Sequence, residues 1–237
     1  APEHRRSRIP GLVDSNAMMG YRAMGYVSLV HMDGADGVTT FLDELGKTWT
    51  VSGGAQIDTA QSVFGGASGY FDGDGDYITT PATTDFQFGS GDFTIDFWAR
   101  IDGTQSSGQL FQMGGQSGAT YPDIMIRSIS KTQVNVEVWA GATRVVNITT
   151  PAFTENVFHH IAFIRHGNDF YLSCDGVLSS PVSYSGAIDF DNSRPVMVGY
   201  QTDQPSNHFY QGWIDELRVC KGVALWTENF TPPTGPA

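Results

Sequence analysis

The sequence predicts an all-β fold in which two antiparallel sheets pack as a sandwich, preceded by an extended N-terminal arm. The clearest observation is residues 92–101, where apolar side chains alternate with Thr94, Asp96 and Arg100, as in a strand with one face in a core. About a dozen such segments recur at intervals of roughly 8–12 residues. The 28 Gly and 11 Pro suit tight turns, and the 40% of apolar residues can fill a two-sheet core.

Residues 26–237 are predicted to form the sandwich, and turn residues such as those at 72–76 and 175–176 separate its strands. Residues 221–226 are expected to form one helical turn, and the Pro-containing tail 229–237 an extended strip. The predicted strands, in chain order, cover residues 26–33, 39–45, 47–51, 70–72, 77–79, 92–101, 109–113, 124–129, 133–139, 143–148, 158–165, 169–173, 195–200 and 208–219.

Residues 1–25 form a basic N-terminal arm that differs from the rest of the chain. Residues 1–28 carry a formal charge of +2, whereas the remainder carries −14. A polar segment of this kind does not fold by itself, so we expect it to be held. The holder is either a partner, which is a neighbouring copy or another protein, or the body of its own domain. The basic residues expected to bind a partner are Arg5, Arg6, Arg8 and Arg22.

Charge and composition restrict the classes of partner. A formal charge of −12 argues against nucleic-acid binding through phosphate contacts. No segment has the apolar length of a membrane span or the apolar core of a secretory signal, so neither is predicted. Cys174 and Cys220 are too few for a disulfide scaffold. One bridge between strands and two free, buried thiols are both compatible with the sequence.

Strings along most of the chain resemble the laminin-G-like domains of the concanavalin-A-like lectin/glucanase superfamily. They are FDG at 71–73, DYI at 76–78, DFTIDFWAR at 92–100, FHHIAFIR at 158–165, YLSCDGV at 171–177, VG at 198–199, GWIDELRV at 212–219 and GVALWTENFTPP at 222–233. The resemblance covers residues 26–233 and implies a jelly-roll sandwich. Phe158 departs from the pattern, which has Trp at that apolar position. Long versions that open with a string like VHMDG, at 30–34 here, and end with one like GVALWTENFTPP are similar to bacteriophage structural proteins. That similarity implies a place in a virion.

Catalysis by a pair of carboxylates is not predicted. Glucanases of this superfamily resemble one another in a Glu-x-Asp-x-x-Glu strand, and retaining hydrolysis needs its two acids about 5 Å apart. None of the six glutamates fits, and Glu137 has no acid two or five residues later. Asp215 and Glu216 are adjacent, so a regular strand would point them to opposite faces. The sequence therefore predicts a protein that is not an enzyme.

Calcium is the cofactor that the resemblance implies. Residues 72–76 imitate the start of an EF-hand loop, but Tyr77 stands where that loop needs Gly and Thr83 where it needs Glu, so the motif is rejected. Members of the family often hold one structural Ca²⁺ near the paired first and last strands, on the outer face. The matching acids are Asp33 and Asp215, and either Asp72 or backbone carbonyls near Gly73 would complete the shell of oxygen ligands.

Glycan binding is the activity that the resemblance favours. Lectin-like sandwiches present aromatic rings on which a sugar face stacks, with amides or acids nearby for its hydroxyls. The alternative is that such aromatics are ordinary core or rim residues. The candidates are Trp139, Tyr121, Tyr200 and Tyr210, with Asn207, Gln201 and Asp203 on the loop between the last two tyrosines.

Two functional classes follow. In the first, the protein is a non-catalytic structural or decoration protein of a bacteriophage particle, held by residues 1–25 to other virion proteins. There it is a homo-oligomer or part of an assembly, and its sandwich faces outward to bind host or environmental glycans. In the second, it is a secreted, extracellular module that binds carbohydrate.

Overall fold

Sixteen strands and one α-helix form the part of the chain that the structure, a computed structural model, describes: residues 15–81, 83–102, 107–114, 123–188, 195–201 and 208–237. Their bounds are α1 (Ser15–Ala23), β1 (Tyr26–Val30), β2 (Thr50–Ser52), β3 (Gln56–Asp58), β4 (Ser68–Asp72), β5 (Tyr77–Thr80), β6 (Phe93–Ile101), β7 (Gly108–Met113), β8 (Ile124–Ser130), β9 (Gln133–Ala140), β10 (Thr143–Thr149), β11 (His159–His166), β12 (Asp169–Cys174), β13 (Val177–Leu178), β14 (Val182–Ser183), β15 (Val196–Val198) and β16 (Gln211–Lys221). A short 3₁₀ turn covers Thr84–Phe86.

The strands form two antiparallel sheets, which confirms the predicted jelly-roll sandwich. The seven-stranded sheet has the order β10-β9-β8-β7-β15-β5-β2. The nine-stranded sheet has the order β13-β12-β11-β6-β16-β4-β3, with β1 beside β16 and β14 beside β12. The last strand, β16, pairs with β6 on one side, and with β4 and β1 in succession on the other. The last strand therefore holds the beginning of the chain in place.

Alternating side chains fill the space between the sheets. On β6, Phe93, Ile95 and Phe97 are at most 1% exposed and belong to the main core. They meet the inward side chains of the seven-stranded sheet, such as Val134 and Val136 of β9. The opposite face of each sheet, called its outer face below, carries the remaining side chains of the same strands. Because β6 and β9 obey this period of two, the sequence pattern predicts both faces correctly.

The expectation of an extended arm is wrong for its second half. Residues 15–23 form α1, and residues 1–14 lie outside the described ranges. Tyr21 stacks on Tyr26 of β1 with ring centroids 5.6 Å apart, and Met18 packs on the same small apolar cluster. No residue of α1 is buried. The helix is therefore held by the chain's own body, through one tyrosine and one methionine at helical spacing.

Two smaller expectations are also resolved. Cys174 and Cys220 are free thiols, so the bridged alternative is wrong. Cys220 is buried beside β1, whereas Cys174 lies half-buried on β12. The helical turn predicted for residues 221–226 is wrong: Lys221 ends β16, and residues 222–226 are not helical. Trp226 stacks on Phe230 with centroids 4.1 Å apart. Among the described residues, no helix is both long and apolar enough to cross a membrane.

Candidate functional site

An open pocket of about 670 Å³ lies on the outer face of the seven-stranded sheet. Its described lining comes from β8, β9, β10, the β9–β10 turn and the segments on either side of residues 202–207. These residues are Arg127, Glu137, Trp139, Ala142, Thr143, Arg144, Gln201 and His208. The wall therefore combines one indole ring with several polar and charged groups, which is the composition expected of a site for a small polar ligand.

Strand alternation brings these side chains to one face. Val134, Val136 and Val138 of β9 point into the core, so Glu137 and Trp139 point outward. On β10, Arg144 stands opposite Trp139 in the register. On β8, Ile124 and Ile126 are core residues, which places Arg127 on the outer face. Two short hairpins thus assemble the charged part of the pocket.

Glu137 is the hub of the pocket. Its side chain is 5% exposed, and its Oε1 accepts hydrogen bonds from Arg127 Nη2 at 2.7 Å and Arg144 Nη1 at 3.0 Å. Its Oε2 accepts a hydrogen bond from Trp139 Nε1 at 3.0 Å. The Arg144 guanidinium also lies 6.0 Å from the centroid of the Trp139 ring. One buried carboxylate therefore fixes the orientation of two guanidiniums and one indole.

Two polar atoms of the pocket wall have no hydrogen-bond partner in the described part of the chain. They are Gln201 Oε1, on a residue that is 1% exposed, and Arg127 Nε. Burial lowers the pKa of His208 below its ordinary value, and the neighbouring Arg127 lowers it further. His208 is therefore neutral at neutral pH. The buried acceptor of Gln201 and the buried donor of Arg127, which lack partners in the described part of the chain, favour a polar ligand that completes their hydrogen bonds.

A family comparison identifies the chain's relatives. A laminin G family model, described as the concanavalin A-like lectin/glucanases superfamily, matches residues 72–228. The chain belongs to this family. A comparison with curated proteins found no match.

Solved structures with the same fold are binding domains of clostridial toxins. The binding domain of Paraclostridial Mosquitocidal Protein 1 superposes with a TM-score of 0.66 at 15% identity, over 86% of this chain and 50% of that one. The botulinum neurotoxin serotype D binding domain gives 0.65 at 9% identity, over 86% and 50%. A botulinum neurotoxin type C structure, whose description makes cell entry dependent upon interaction with two ganglioside molecules, gives 0.62 at 11% identity, over 88% and 50%. The laminin-G-like chain thus spans about half the length of these proteins, and at such identities the likeness is one of fold.

The predicted glycan-binding residues lie in different places in this laminin-G-like domain. Trp139 lines the pocket. Tyr200 lies half-buried next to Gln201, stacked on Phe209 at 4.5 Å between centroids. Tyr210 is a correction, because it is 0% exposed and its hydroxyl donates to the backbone carbonyls of Arg100 and Trp213. The remaining candidates, Tyr121, Asp203 and Asn207, lie outside the described residues.

The three acids predicted to bind calcium are not all neighbours. The carboxylate of Asp215 accepts hydrogen bonds from the backbone N–H groups of Val63 at 2.8 Å and Phe64 at 3.2 Å. Asp33 lies against Gly65 of the same loop, where an added Cβ would overlap its carboxylate. Asp72 pairs with Gln211, four strand positions away from Asp215 and so about 13 Å along the sheet. The fold therefore brings Asp33 and Asp215 together and leaves Asp72 apart from them, at the end of β4.

A β-bulge overturns the expectation that Asp215 and Glu216 face opposite ways. The pairing of β16 with β6 shifts between Asp215 and Arg218, and Glu216 has a φ of 52°. Ile214 and Leu217 both enter the core, which leaves Asp215 and Glu216 together on the outer face. Burial raises the pKa of Asp215 to about 7, partly offset by the two N–H groups, and the charge of Glu216 raises it further. One carboxylate oxygen of Asp215, Oδ1, has no hydrogen-bond partner among the described residues.

One further group of potential metal ligands is present among the described residues, but it is already satisfied. His159, Cys174 and Asp175 have ligand atoms within 4.8 Å of one another. Both ring nitrogens of His159 are engaged, by Asp175 at 2.6 Å and by the Thr154 carbonyl at 2.9 Å. Burial raises the pKa of the Cys174 thiol to about 12, so it stays protonated. A protonated thiol is a poor metal ligand.

Of the four arginines expected to bind a partner, only Arg22 lies in the described part of the chain. It is on the exposed side of α1, and its Nη2 donates to the Leu45 carbonyl at 3.5 Å. Arg5, Arg6 and Arg8 fall in residues 1–14, outside the described ranges.

Residue-by-residue reasoning missed the charged half of the pocket. Arg127 and Arg144 belong to no sequence motif, and Glu137 was considered only as a catalytic acid, for which the sequence offers no partner. The available signal was the alternation in VNVEVWA at 134–140, which places Glu137 and Trp139 on one polar face. The described lining of the pocket contains one carboxylate, Glu137, and both of its oxygens are already bound to donors. The paired acids of a retaining hydrolase are thus not found among the lining residues that the structure describes.

Proposed function

We propose that this protein is a non-catalytic carbohydrate-binding domain and that the pocket around Trp139 holds the saccharide. The observation that carries the proposal is the fixed indole of Trp139, half-exposed in an open pocket and surrounded by hydrogen-bonding groups. A sugar ring stacks on such a face, and Gln201 and Thr143 offer polar atoms for its hydroxyls. The laminin-G-like family and the toxin binding domains that share the fold support a role in binding rather than reaction.

The test is a binding measurement with a matched tryptophan control. Trp139→Ala removes the stacking surface and should weaken binding of a saccharide identified on a glycan array at least tenfold. Trp213 is the control, because its indole also donates to a carboxylate, Asp58 at 2.7 Å, and lies under a guanidinium, Arg100 at 4.6 Å, but on the other sheet. Trp213→Ala should keep the affinity. If Trp213→Ala abolishes binding and Trp139→Ala does not, the site assignment is wrong; release of reducing sugar by the native protein would overturn the non-catalytic role.

We also propose that the domain holds a structural Ca²⁺ between Asp33 and Asp215. The unpartnered Oδ1 of Asp215 and the neighbouring Asp33 carboxylate support it, since Ca²⁺ prefers carboxylate and carbonyl oxygens. Saturating Ca²⁺ at about 100 times its Kd would stabilise the fold by about 3 kcal/mol. For a domain of this size, the melting temperature would then rise by about 5–10 °C relative to chelator. Asp215→Asn should abolish that rise and Asp72→Asn should keep it; equal melting temperatures with Ca²⁺ and with chelator would contradict the proposal.

For the biological setting, we propose display on a bacteriophage particle, with residues 1–25 attached to other virion proteins. The charge contrast between residues 1–28 and the remainder supports this, as does the exposure of Met19 (61%) and Met24 (48%) around Arg22. The protein of residues 1–237 should stay bound to the bacteriophage particle during purification, whereas a protein that lacks residues 1–24 should be released from it. A sugar-binding monomer that no particle protein retains would instead favour the extracellular alternative.

A further inference from the structure

We propose that the saccharide held in the pocket is acidic, so that the site recognises a carboxylate- or sulfate-bearing sugar rather than a neutral one. This inference rests on the proposed carbohydrate-binding function and adds the chemical class of the ligand. Three features of the pocket carry it: an excess of positive charge, free guanidinium donors and a buried acceptor placed for a neighbouring hydroxyl.

The first feature is a local positive charge on an acidic protein. The described lining contains two guanidiniums, Arg127 and Arg144, and one carboxylate, Glu137, which leaves a net charge of about +1. The whole chain carries −12, so this sign is opposite to that of the molecule. A cation that serves only to neutralise Glu137 would require one arginine, whereas the pocket supplies two. The second positive charge is therefore available to a ligand.

The second feature is the number of donors that remain. Each guanidinium has five N–H groups in a planar fork that matches an oxyanion. Arg127 and Arg144 each spend one of them on the same atom, Glu137 Oε1. Their side chains are 30% and 44% exposed, and Arg127 Nε has no partner in the described chain. Because Glu137 holds both forks in place, less side-chain freedom is lost when an oxyanion binds between them.

The third feature distinguishes an acidic sugar from a free anion. Gln201 is buried in the wall, and its unpartnered Oε1 can only accept a hydrogen bond, which an oxyanion does not supply but a sugar hydroxyl does. Trp139 offers a ring face to the pyranose. One acidic monosaccharide unit would therefore satisfy the two arginines, the glutamine and the tryptophan together, whereas a neutral sugar leaves the arginine donors unused and inorganic sulfate leaves the ring and Gln201 unused.

The experiment compares matched oligosaccharides by calorimetry with the full chain. The probes are an oligogalacturonide, the same oligosaccharide after reduction of its carboxylates to alcohols, a sulfated heparin oligosaccharide, and sodium sulfate alone. We expect at least one of the two acidic oligosaccharides to bind tenfold or more tightly than the reduced form in 50 mM salt. The advantage should shrink in 300 mM salt because the attraction is screened. Carboxylate and sulfate sources are separated by which of the two acidic probes binds more tightly.

Variants connect the preference to the pocket. Arg144→Gln should lower affinity for the acidic probe tenfold or more and lower affinity for the reduced probe by a much smaller factor, whereas Arg144→Lys keeps part of the charge and recovers part of the affinity. Arg100→Gln, on the other sheet, is the control. Thermal melts establish that each variant is folded. We expect the Arg144 variants to fold because that side chain is 44% exposed.

The outcomes separate this inference from the function on which it rests. If reduced and acidic probes bind equally, independently of salt, and Trp139→Ala abolishes both, the carbohydrate site stands and the acidic preference is overturned. If no oligosaccharide binds, or if binding ignores Trp139, the proposed function itself fails. If sodium sulfate alone binds as tightly as the acidic oligosaccharides, the site takes an anion only, and the sugar part of the inference is wrong.

Discussion

The side chains of Asp96 and Arg218 form a buried ion pair on the outer face of the nine-stranded sheet. Arg218 Nε and Nη2 donate to the two oxygens of Asp96 at 2.9 Å and 2.8 Å, and His160 Nε2 lies 3.1 Å from the same carboxylate. The guanidinium is also sandwiched between the rings of Tyr26 and Trp226, each 5.4 Å away. A bidentate pair of this kind links β1, β6, β16 and the C-terminal segment.

Replacing one partner of this ion pair is expected to lower the free energy of unfolding more than replacing both partners. Arg218→Met leaves the Asp96 carboxylate buried without its cation and should lower the free energy of unfolding by about 3–5 kcal/mol. The double variant Asp96→Leu with Arg218→Met removes both charges and should recover a large part of that loss. Urea denaturation measures both. A double variant as unstable as Arg218→Met would show that the loss comes from packing around Trp226 rather than from the unpaired charge.

His159 makes the stability depend on pH near neutrality. Burial disfavours its charged form, but the hydrogen bond to Asp175 at 2.6 Å and that to the Thr154 carbonyl raise its pKa above the ordinary 6.5. The resulting stabilisation is fully present below pH 6.5 and is lost as the pH rises through the higher pKa of the folded state. His159→Gln should flatten this decline in unfolding experiments between pH 6 and 9. His166→Gln, at an imidazole 57% exposed beside Asp92, should leave it in place.

At the scale of elements, the last strand, β16, holds more of the fold together than the helix α1 does. Along one edge, β16 pairs first with β4 and then with β1, and its bulge at Glu216 turns Asp215 and Glu216 to the same outer face. The Glu216 carboxylate then lies 2.9 Å from His31 Nδ1 and accepts a hydrogen bond from the Ala237 backbone N–H at 3.1 Å. The bulge thus anchors the segment after β1 and the C-terminal tail.

The helix α1 is expected to be dispensable for folding. A protein that lacks residues 1–24 loses the stacking of Tyr21 on Tyr26 but no buried residue of the helix. Its free energy of unfolding should fall by no more than about 1–2 kcal/mol. Urea denaturation followed by near-ultraviolet circular dichroism is the measurement. Loss of the cooperative transition in the shortened protein would mean that residues 1–24 complete the fold.

At the scale of the whole molecule, the domain is larger than the stretch that the family model matches. Residues before position 72 contribute β1, β2, β3 and nearly all of β4, together with part of the main core. Those core residues are Val30, Met32, Phe41, Trp49, Ala55, Ile57, Ala67 and Phe71. They pack in the core between the two sheets, so residues 72–228 by themselves expose a large apolar surface.

A protein limited to residues 72–228 is therefore expected not to fold. Six of these eight side chains are larger than alanine, and burying each contributes about 1.5–3 kcal/mol, so their loss is about as large as the whole stability of an ordinary domain. Size-exclusion chromatography and near-ultraviolet circular dichroism would show aggregation or an unstructured chain. Residues 25–237 are the matched control and should give a folded protein. A cooperative transition in the 72–228 protein would show that the preceding strands only cover a self-sufficient core.

The alternation of side chains determined the sandwich from the sequence alone. In β6 and β9, the residue types set the inward and outward faces because the period of two is a local property of an extended chain. Trp139 was a glycan-binding candidate because it is aromatic, and the same period of two places its half-buried indole on the outer face. Tyr210 could not be assigned, because it precedes β16 outside any strand and only the packing shows its hydroxyl on the carbonyls of Arg100 and Trp213.

Only the tertiary structure decided which outward side chains meet. The register of two hairpins brings Arg127 and Arg144 to Glu137, and the bulge in β16 joins Asp215 to Glu216 against the rule of alternation. The loop at residues 63–65 connects Asp33 with Asp215, which are far apart in the chain. Strand period follows from each residue's own geometry, whereas register, bulges and loop contacts follow from how distant segments pack, and the pocket depends on the latter.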